Sequence, residues 1–124
     1  MTSATFRPRE HLRDPAAFRR AFDRRKTASD AAMIVYAVEN GLDHARIGLS
    51  VGKKKLRKAV GRNLAKRLLR EAFRLNKAML PTGVDYVVVP RGPALTFAQT
   101  HAAFPRLARD AARRLGPRPT HISP

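Results

Sequence analysis

Cysteine, acidic side chains and long apolar runs are all scarce in this sequence. The 124 residues contain no cysteine, which excludes disulfides, thiolate nucleophiles and cysteine-type zinc sites and is compatible with a reducing cytoplasm. The longest apolar run, Ala31 to Val38, has the length of a strand, whereas a spanning helix needs roughly 20 residues. The N-terminus has no apolar segment of the kind that a secretory signal requires. We therefore expect a cytoplasmic protein that does not cross a membrane.

The charge balance is strongly basic. Lys and Arg number 26 against 9 Asp and Glu, a net charge of +17 at pH 7, and 44% of the residues are hydrophobic. This hydrophobic fraction is sufficient for a folded core, and a chain of this length fits one domain. The composition predicts a basic globule whose partner is a polyanion. We expect a flexible basic arm over 1–13, a single domain over 14–115 and a flexible tail over 116–124.

The first half of the chain predicts one helix and two strands. Asp14-Pro15 is typical of a helix start, since Asp caps free N–H groups and Pro is tolerated at the first helical position, so we expect a helix to about Arg25. Residues 31–39 are rich in β-forming side chains and are followed by Asn40-Gly41, a pair suited to positive φ. With a second strand over 46–51, the pattern predicts strand, turn, strand.

The second half predicts a helix, a strand and a last helix. A helical period runs from 59 to 80, and residues 85–90 form a strand short enough to be buried on both faces. Thr96 is suited to cap a helix that reaches Leu115, but Pro105 removes a backbone hydrogen bond, which predicts a kink or a late start. The order α-β-β-α-β-α indicates an α+β domain, a small sheet with helices packed against it.

The segment from Lys53 to Lys77 is the strongest functional signal. It contains eleven cations and one acid, Glu71, and five of the cations fall within residues 53–58. Solvated helix faces normally mix signs, because like charges four residues apart destabilise an isolated helix by a few tenths of a kcal/mol. An excess of one sign therefore predicts nucleic-acid binding. The cations of the helix recur at every fourth position: Arg62, Lys66, Arg70 and Arg74.

No pattern indicates catalysis by the protein itself. The acids are scattered, and the four histidines show no metal-ligand spacing, so we predict no catalytic residue and no metal site. The stretch from Gly48 to Lys54 differs from a phosphate-binding loop, since three residues rather than four separate its glycines and the Lys is not followed by Ser or Thr.

Aromatic residues have two interpretations. Phe18 and Phe22 are one turn apart on the first helix, and Tyr36 lies on a strand. Together they are suited to stack on unpaired RNA bases, whereas the alternative is that both phenylalanines belong to the core.

The helix resembles the signature helix of the protein subunit of bacterial ribonuclease P. The resemblance rests on Arg62-Asn63 followed by Lys-Arg-Leu-Leu-Arg-Glu-Ala-Phe-Arg at 66–74. Other landmarks of that family occur in the same order: Phe18, Phe22, Tyr36, Gly-Leu-Ser-Val at 48–51, Ala59-Val60, and Asp-Tyr-Val-Val-Val at 85–89 before Arg91. Two features depart from it. Leu64 replaces the second arginine of the usual Arg-Asn-Arg motif, and the segment between Val51 and Ala59 is one residue longer, with Arg57 where glycine is common.

The resemblance implies a two-layer α/β sandwich with a small mixed sheet and a left-handed βαβ crossover, opposite to the usual hand. It also implies that this chain is the non-catalytic subunit of an endoribonuclease. The RNA subunit would remove the 5′ leader of precursor tRNA with bound Mg²⁺, and the protein would hold no cofactor. The implied partners are ribonuclease P RNA and precursor tRNA, without a membrane or an obligate protein partner.

Site residues carry over by position. The resemblance implies contacts with the catalytic RNA for Lys53, Lys54, Lys55, Arg62, Asn63, Lys66, Arg67 and Arg70. It implies a cleft for the single-stranded leader, with Arg91 at its edge, lined by Phe18, Phe22 and Tyr36. A ribosomal or other structured-RNA scaffold protein is the alternative, and a cationic membrane-surface or nucleoid protein is a third class.

Overall fold

The computed structural model describes residues 7–50, 59–91 and 97–116. The predicted arm residues 1–6, the lysines 53–55, the Thr96 cap and the tail residues 117–124 lie outside these ranges. The described ranges contain three α-helices, four strands and two short 3₁₀ helices. In chain order these are a 3₁₀ helix Pro8–Glu10, α1 Pro15–Arg24, β1 Lys26–Ser29, β2 Met33–Glu39, β3 Arg46–Leu49, α2 Ala59–Asn76, a 3₁₀ helix Lys77–Met79, β4 Val84–Pro90 and α3 Phe97–Arg113.

The four strands form one mixed sheet in the order β1-β2-β4-β3. β2 pairs antiparallel with both β1 and β4, whereas β3 pairs parallel with β4. The predicted α+β fold with a small mixed sheet is therefore confirmed. The strands on either side of Asn40-Gly41 are both present, but they do not pair with each other. β4 lies between them and, as predicted, is buried along most of its length, as suits an interior strand.

β1 was not predicted from the sequence. Its four residues, Lys-Thr-Ala-Ser, lack apolar alternation and are half-buried or exposed, as befits a strand at the sheet edge. At the opposite edge of the sheet, α2 connects the parallel neighbours β3 and β4, so these three elements form a βαβ unit.

The two faces of the sheet are covered unequally. On the first, here the core face, α2 and α3 pack over residues such as Val35, Tyr86 and Val88, and Phe73 and Phe104 are fully buried between the layers. On the second, here the groove face, α1 packs over Val38 and Val87, and Leu12 joins the same cluster. The alternation of side chains along each strand assigns each residue to one face.

The helix boundaries follow the sequence with one exception. The predicted start of α1 is confirmed, since the Asp14 carboxylate accepts a hydrogen bond from the backbone N–H of Ala16 at 3.0 Å. The prediction of a late start near Pro105 is wrong, because α3 begins at Phe97 and continues through that proline. Burial of Phe104 and Leu107 on either side of Pro105 offsets the roughly 3 kcal/mol that an internal proline costs a helix.

Residues 7–13, here called the strap, pack against the domain. The Glu10 carboxylate is buried, lies 3.0 Å from Lys77 Nζ, and accepts the Arg7 backbone N–H. The Leu12 N–H donates to the Ile47 carbonyl at the free edge of β3. Composition, from which we expected a flexible arm over 1–13, could not predict these contacts, because the partners of Glu10 and Leu12 are distant in sequence. None of the helices in the described ranges has the length and apolar character needed to cross a bilayer.

Candidate nucleic-acid interface

The predicted aromatic residues form one cluster on the groove face. The buried side of α1 consists of Ala17 and Ala21. Phe18 and Phe22, on the same helix, are only half-buried. The Phe22 ring meets the half-buried Tyr36 ring edge to face, with centroids 4.9 Å apart. The two interpretations of these phenylalanines are therefore compatible, since each ring packs against the small apolar cluster and keeps an exposed surface.

Gly48 permits the position of Phe18. A Cβ placed on Gly48 would lie 2.6 Å from Phe18 Cζ and 3.1 Å from Leu12 Cβ. The first distance is shorter than any ordinary van der Waals contact, so a larger residue at this point of β3 would displace the ring. Gly48, the first residue of the Gly-Leu-Ser-Val stretch that the sequence singled out, thus lies beneath an aromatic ring.

An open groove of about 320 Å³, here called the Phe18 groove, is lined by residues of the strap, α1, β3 and α2. Its apolar floor comes from Leu12, Phe18 and β3. Its rim comes from Arg13 on the strap and from Lys66 and Arg70 on α2. The complete lining is His11, Leu12, Arg13, Phe18, Ile47, Gly48, Leu49, Lys66, Leu69 and Arg70, which includes no carboxylate among the residues that the structure describes.

His11 is the only titratable imidazole in that described lining. Burial, followed by the positive charges of Arg70, Arg13 and Lys66, lowers the pKa of His11 below its ordinary value of 6.5. Sequence reasoning missed both His11 and Arg13, since it assigned them to a mobile arm. The available signal in the sequence was Leu12, an apolar residue between the polar residues His11 and Arg13. This alternation is compatible with a segment that packs along the edge of a sheet.

α2 presents its cations on the side away from the core. Ala65, Leu69 and Phe73 are buried, whereas Asn63 and Arg67 are exposed and do not line the groove. The backbone of Arg62 lies in α2, but its side chain is outside the described part of the chain. Glu71 pairs with Arg74 on the same helix. Among the predicted RNA contacts whose side chains are described, Lys66 and Arg70, which the resemblance assigns to the catalytic RNA, lie beside Phe18.

Leu64 and Arg91 lie apart from the aromatic cluster. Leu64 lies at the position where the family commonly has arginine. Its side chain is 43% exposed, so core packing does not explain the replacement of arginine by leucine. Arg91 is exposed, and its backbone N–H donates to the Ala32 carbonyl at 2.9 Å. Tyr36 of the aromatic cluster pairs with Val87 on β4, and Arg91 comes four residues after Val87. Four residues of extended chain span about 13 Å, which separates Arg91 from the cluster.

The buried acids have structural partners. Asp85 is fully buried on β4, where Arg46 donates to both carboxylate oxygens at 2.8 and 2.7 Å and Asn40 donates at 2.9 Å. Glu10 is bound to Lys77, as described above. Among the described residues, no group of three or more His, Cys, Asp or Glu side chains is placed to hold a metal ion. These carboxylates do not offer the convergent oxygen ligands that Mg²⁺ prefers.

Comparison with known proteins identifies relatives along nearly the whole chain. The family model described as Ribonuclease P matches residues 6–112. The ribonuclease P protein component of Chromobacterium violaceum is 44% identical over 117 residues, which cover 88% of this chain and 94% of that protein. The corresponding protein of Methylococcus capsulatus is 49% identical over 88 residues, 70% of this chain and 68% of that protein.

A solved structure shares the fold. The ribonuclease P protein of Thermotoga maritima is 33% identical, superposes with a TM-score of 0.71, and the match covers 81% of this chain and 96% of that one. The family-model match includes the strap, the aromatic cluster and the basic helix, and the solved structure has the same fold. This chain therefore belongs to the family of ribonuclease P protein components.

Proposed function

We propose that this chain binds ribonuclease P RNA together with the single-stranded 5′ leader of precursor tRNA, and thereby supports removal of that leader. In this proposal the RNA subunit carries out the hydrolysis with its own bound Mg²⁺, and the protein contributes binding. The observation that carries the proposal is the Phe18 groove, in which Lys66 and Arg70 of the cationic helix lie beside Phe18, one ring of the half-buried aromatic cluster.

The groove suits a leader of variable sequence. A half-exposed ring such as Phe18 presents a face on which any base stacks, and stacking contributes about 1 to 3 kcal/mol per base without hydrogen-bond readout. Lys66 and Arg70 lie at the same groove and attract the phosphates between such bases. Phe22 and Tyr36 extend the aromatic surface, and Arg91 supports the path further along β4.

The exposed side of α2 suits a second, structured RNA. Asn63 and Arg67 are exposed outside the groove, so the same helix offers polar and cationic contacts to two different partners. Arg62 and the lysines at 53–55 join this surface by the family resemblance. Because phosphate contacts position the protein without reading sequence, this surface fits the fold of an RNA rather than one base order.

Cations between two polyanions reduce their repulsion, which predicts a lower Mg²⁺ requirement for the complex. The test is reconstitution of precursor cleavage on a bacterial ribonuclease P RNA at a series of Mg²⁺ concentrations. Adding the protein should lower the Mg²⁺ needed for half-maximal cleavage. An unchanged Mg²⁺ requirement would contradict the proposal. The proposal places this complex in the cytoplasm and requires neither a membrane nor an obligate protein partner.

Matched variants on α2 separate the two RNA contacts. Lys66→Gln with Arg70→Gln should reduce affinity for precursor tRNA more than for mature tRNA, because only the precursor has a leader. Arg67→Gln removes a charge from the same helix outside the groove and should weaken both complexes alike. A structured-RNA scaffold protein without a processing role would bind both tRNAs equally in every variant.

A further inference from the structure

We propose that Arg13 and His11 on the strap bind a phosphodiester of the leader in the Phe18 groove, and that this binding is coupled to protonation of His11. The proposal rests on the function proposed above and names two binding residues, together with a proton, that the family resemblance did not supply. Its ligand is the backbone of single-stranded RNA.

The strap holds both residues at the groove. Glu10 and Leu12 fix the chain on either side of His11, through Lys77 and through the Ile47 carbonyl. A third contact links Arg9 to the loop before β3, since His44 Nε2 lies 3.2 Å from the Arg9 carbonyl oxygen. Residues 11 and 13 therefore line the groove as part of the packed domain.

The hydrogen bond between Arg13 and His11 defines the proton arrangement. Arg13 Nη2 and Nε lie 2.7 and 3.2 Å from His11 Nδ1. A guanidinium only donates, so Nδ1 must accept and carries no proton while this contact persists. A protonated His11 would present N–H at Nδ1 and release Arg13. A phosphate entering the groove accepts from both side chains at once, which is the arrangement that protonation permits.

The charges around His11 make its protonation depend on an anion. Arg13 faces it from the strap, and Lys66 and Arg70 face it from α2. Phe18 of α1 and residues 47–49 of β3 carry no charge, and the described lining has no carboxylate. These cations and burial lower the pKa of His11 in the free protein. A bound phosphate reverses the local potential and raises that pKa.

The sign of the pH effect follows from linkage. Because the pKa of His11 is higher in the complex than in the free protein, the complex binds more protons at pH values between the two. Affinity for the leader therefore rises as pH falls through that window and levels off below the lower pKa. One proton limits the change to about tenfold per pH unit.

The test measures the ratio of precursor to mature tRNA affinity for the reconstituted holoenzyme between about pH 5.5 and 8, the range in which histidine titrates. The ratio cancels effects shared by both RNAs. For the unmodified protein it should rise severalfold toward low pH. His11→Gln keeps an acceptor for Arg13 but cannot titrate, so its ratio should be nearly independent of pH. Equal pH slopes in the two proteins would overturn the inference.

His44→Gln is the matched control, since it removes another histidine that touches the strap but does not line the groove. It should retain the slope of the unmodified protein. Loss of the slope in both variants would overturn the inference in favour of pH-dependent docking of the strap. A ratio of one at every pH, in all proteins, would instead contradict the proposed function itself.

A direct measurement follows the His11 ring protons by NMR. Addition of a single-stranded oligoribonucleotide should raise the apparent pKa of His11, and Arg13→Gln should raise it in the free protein by removing one neighbouring charge. An unaltered titration curve with RNA bound would overturn the inference whatever the binding ratio.

Discussion

The two faces of the sheet use aromatic residues in opposite ways. On the core face, Phe73, Tyr86 and Phe104 are fully buried, and Tyr86 meets Phe104 edge to face at 6.3 Å. On the groove face, Phe18, Phe22 and Tyr36 are only partly buried, because one short helix covers that side. The same residue types therefore stabilise the fold on one face and stay partly exposed on the other, where we propose that they bind the leader.

The difference arises from helix number rather than from composition. Two helices of 18 and 17 residues cover the core face, whereas α1 has 10 residues and leaves part of the sheet beside it open. The fold-stabilising layer and the proposed binding layer are thus separate, with Gly48, Lys66 and Arg70 at the boundary between them. Four substitutions test this assignment, from the largest expected effect to the smallest.

Phe104→Ala should lower the free energy of unfolding by about 3 to 5 kcal/mol, because it removes a fully buried ring and leaves a cavity between α3 and the sheet. Urea denaturation measures this change. Phe18→Ala, on the groove face, is the comparison and should lower the same free energy by less. A larger loss for Phe18→Ala would contradict the division of roles between the faces.

Phe18→Ala combined with Phe22→Ala should reduce precursor tRNA affinity relative to mature tRNA by roughly tenfold, the effect of losing about one stacked base. Equilibrium binding to the holoenzyme measures the ratio, and circular dichroism checks that the variant is folded. Equal losses for the two tRNAs, or unfolding of the variant, would favour a purely structural role for both rings.

Gly48→Ala should destabilise the protein by about 1 to 3 kcal/mol, since its Cβ overlaps the Phe18 ring and crowds Leu12. In a Phe18→Ala background, Gly48→Ala should lower the free energy of unfolding by less, because the ring that its Cβ would overlap is absent. A double-mutant cycle of unfolding free energies measures this coupling. Strictly additive effects would mean that Gly48 does not position Phe18.

Asp14→Ala should lower stability by about 1 kcal/mol, the usual effect of losing an N-terminal cap. The loss should be local to α1, whose first turn it caps, and amide hydrogen exchange over residues 16–18 reports it. Asp14→Ser retains a capping oxygen and serves as the control. Equal protection in both variants would show that the cap contributes nothing measurable.

Local sequence patterns were sufficient for the elements whose stability is itself local. The Asp14-Pro15 pair fixed the start of α1, helical periodicity located α2, and the continuous apolar run of β4 predicted burial on both faces. The aromatic cluster was also identifiable, although spacing alone left open whether its phenylalanines were core or surface. A half-buried ring satisfies both descriptions, and only packing distinguishes how much of it remains exposed.

Three features depended on contacts between distant residues. β4 separates β2 from β3, although those two strands follow one another in the chain. β1 carries no apolar pattern because its outer edge and one face are partly exposed. The strap is anchored by Glu10 on Lys77, a pairing across 67 residues that no short motif encodes.

The sequence by itself therefore determined the basic charge, the main helices and the class of partner, since these depend on composition and on periodicities of a few residues. The tertiary structure decided which strands are neighbours, that the strap packs, and that His11, Arg13, Phe18, Lys66 and Arg70 line one groove. The physical reason is that apolar faces are buried collectively. Each strand takes the neighbour that excludes most water from the whole sheet, and side chains from distant segments are brought together as a result.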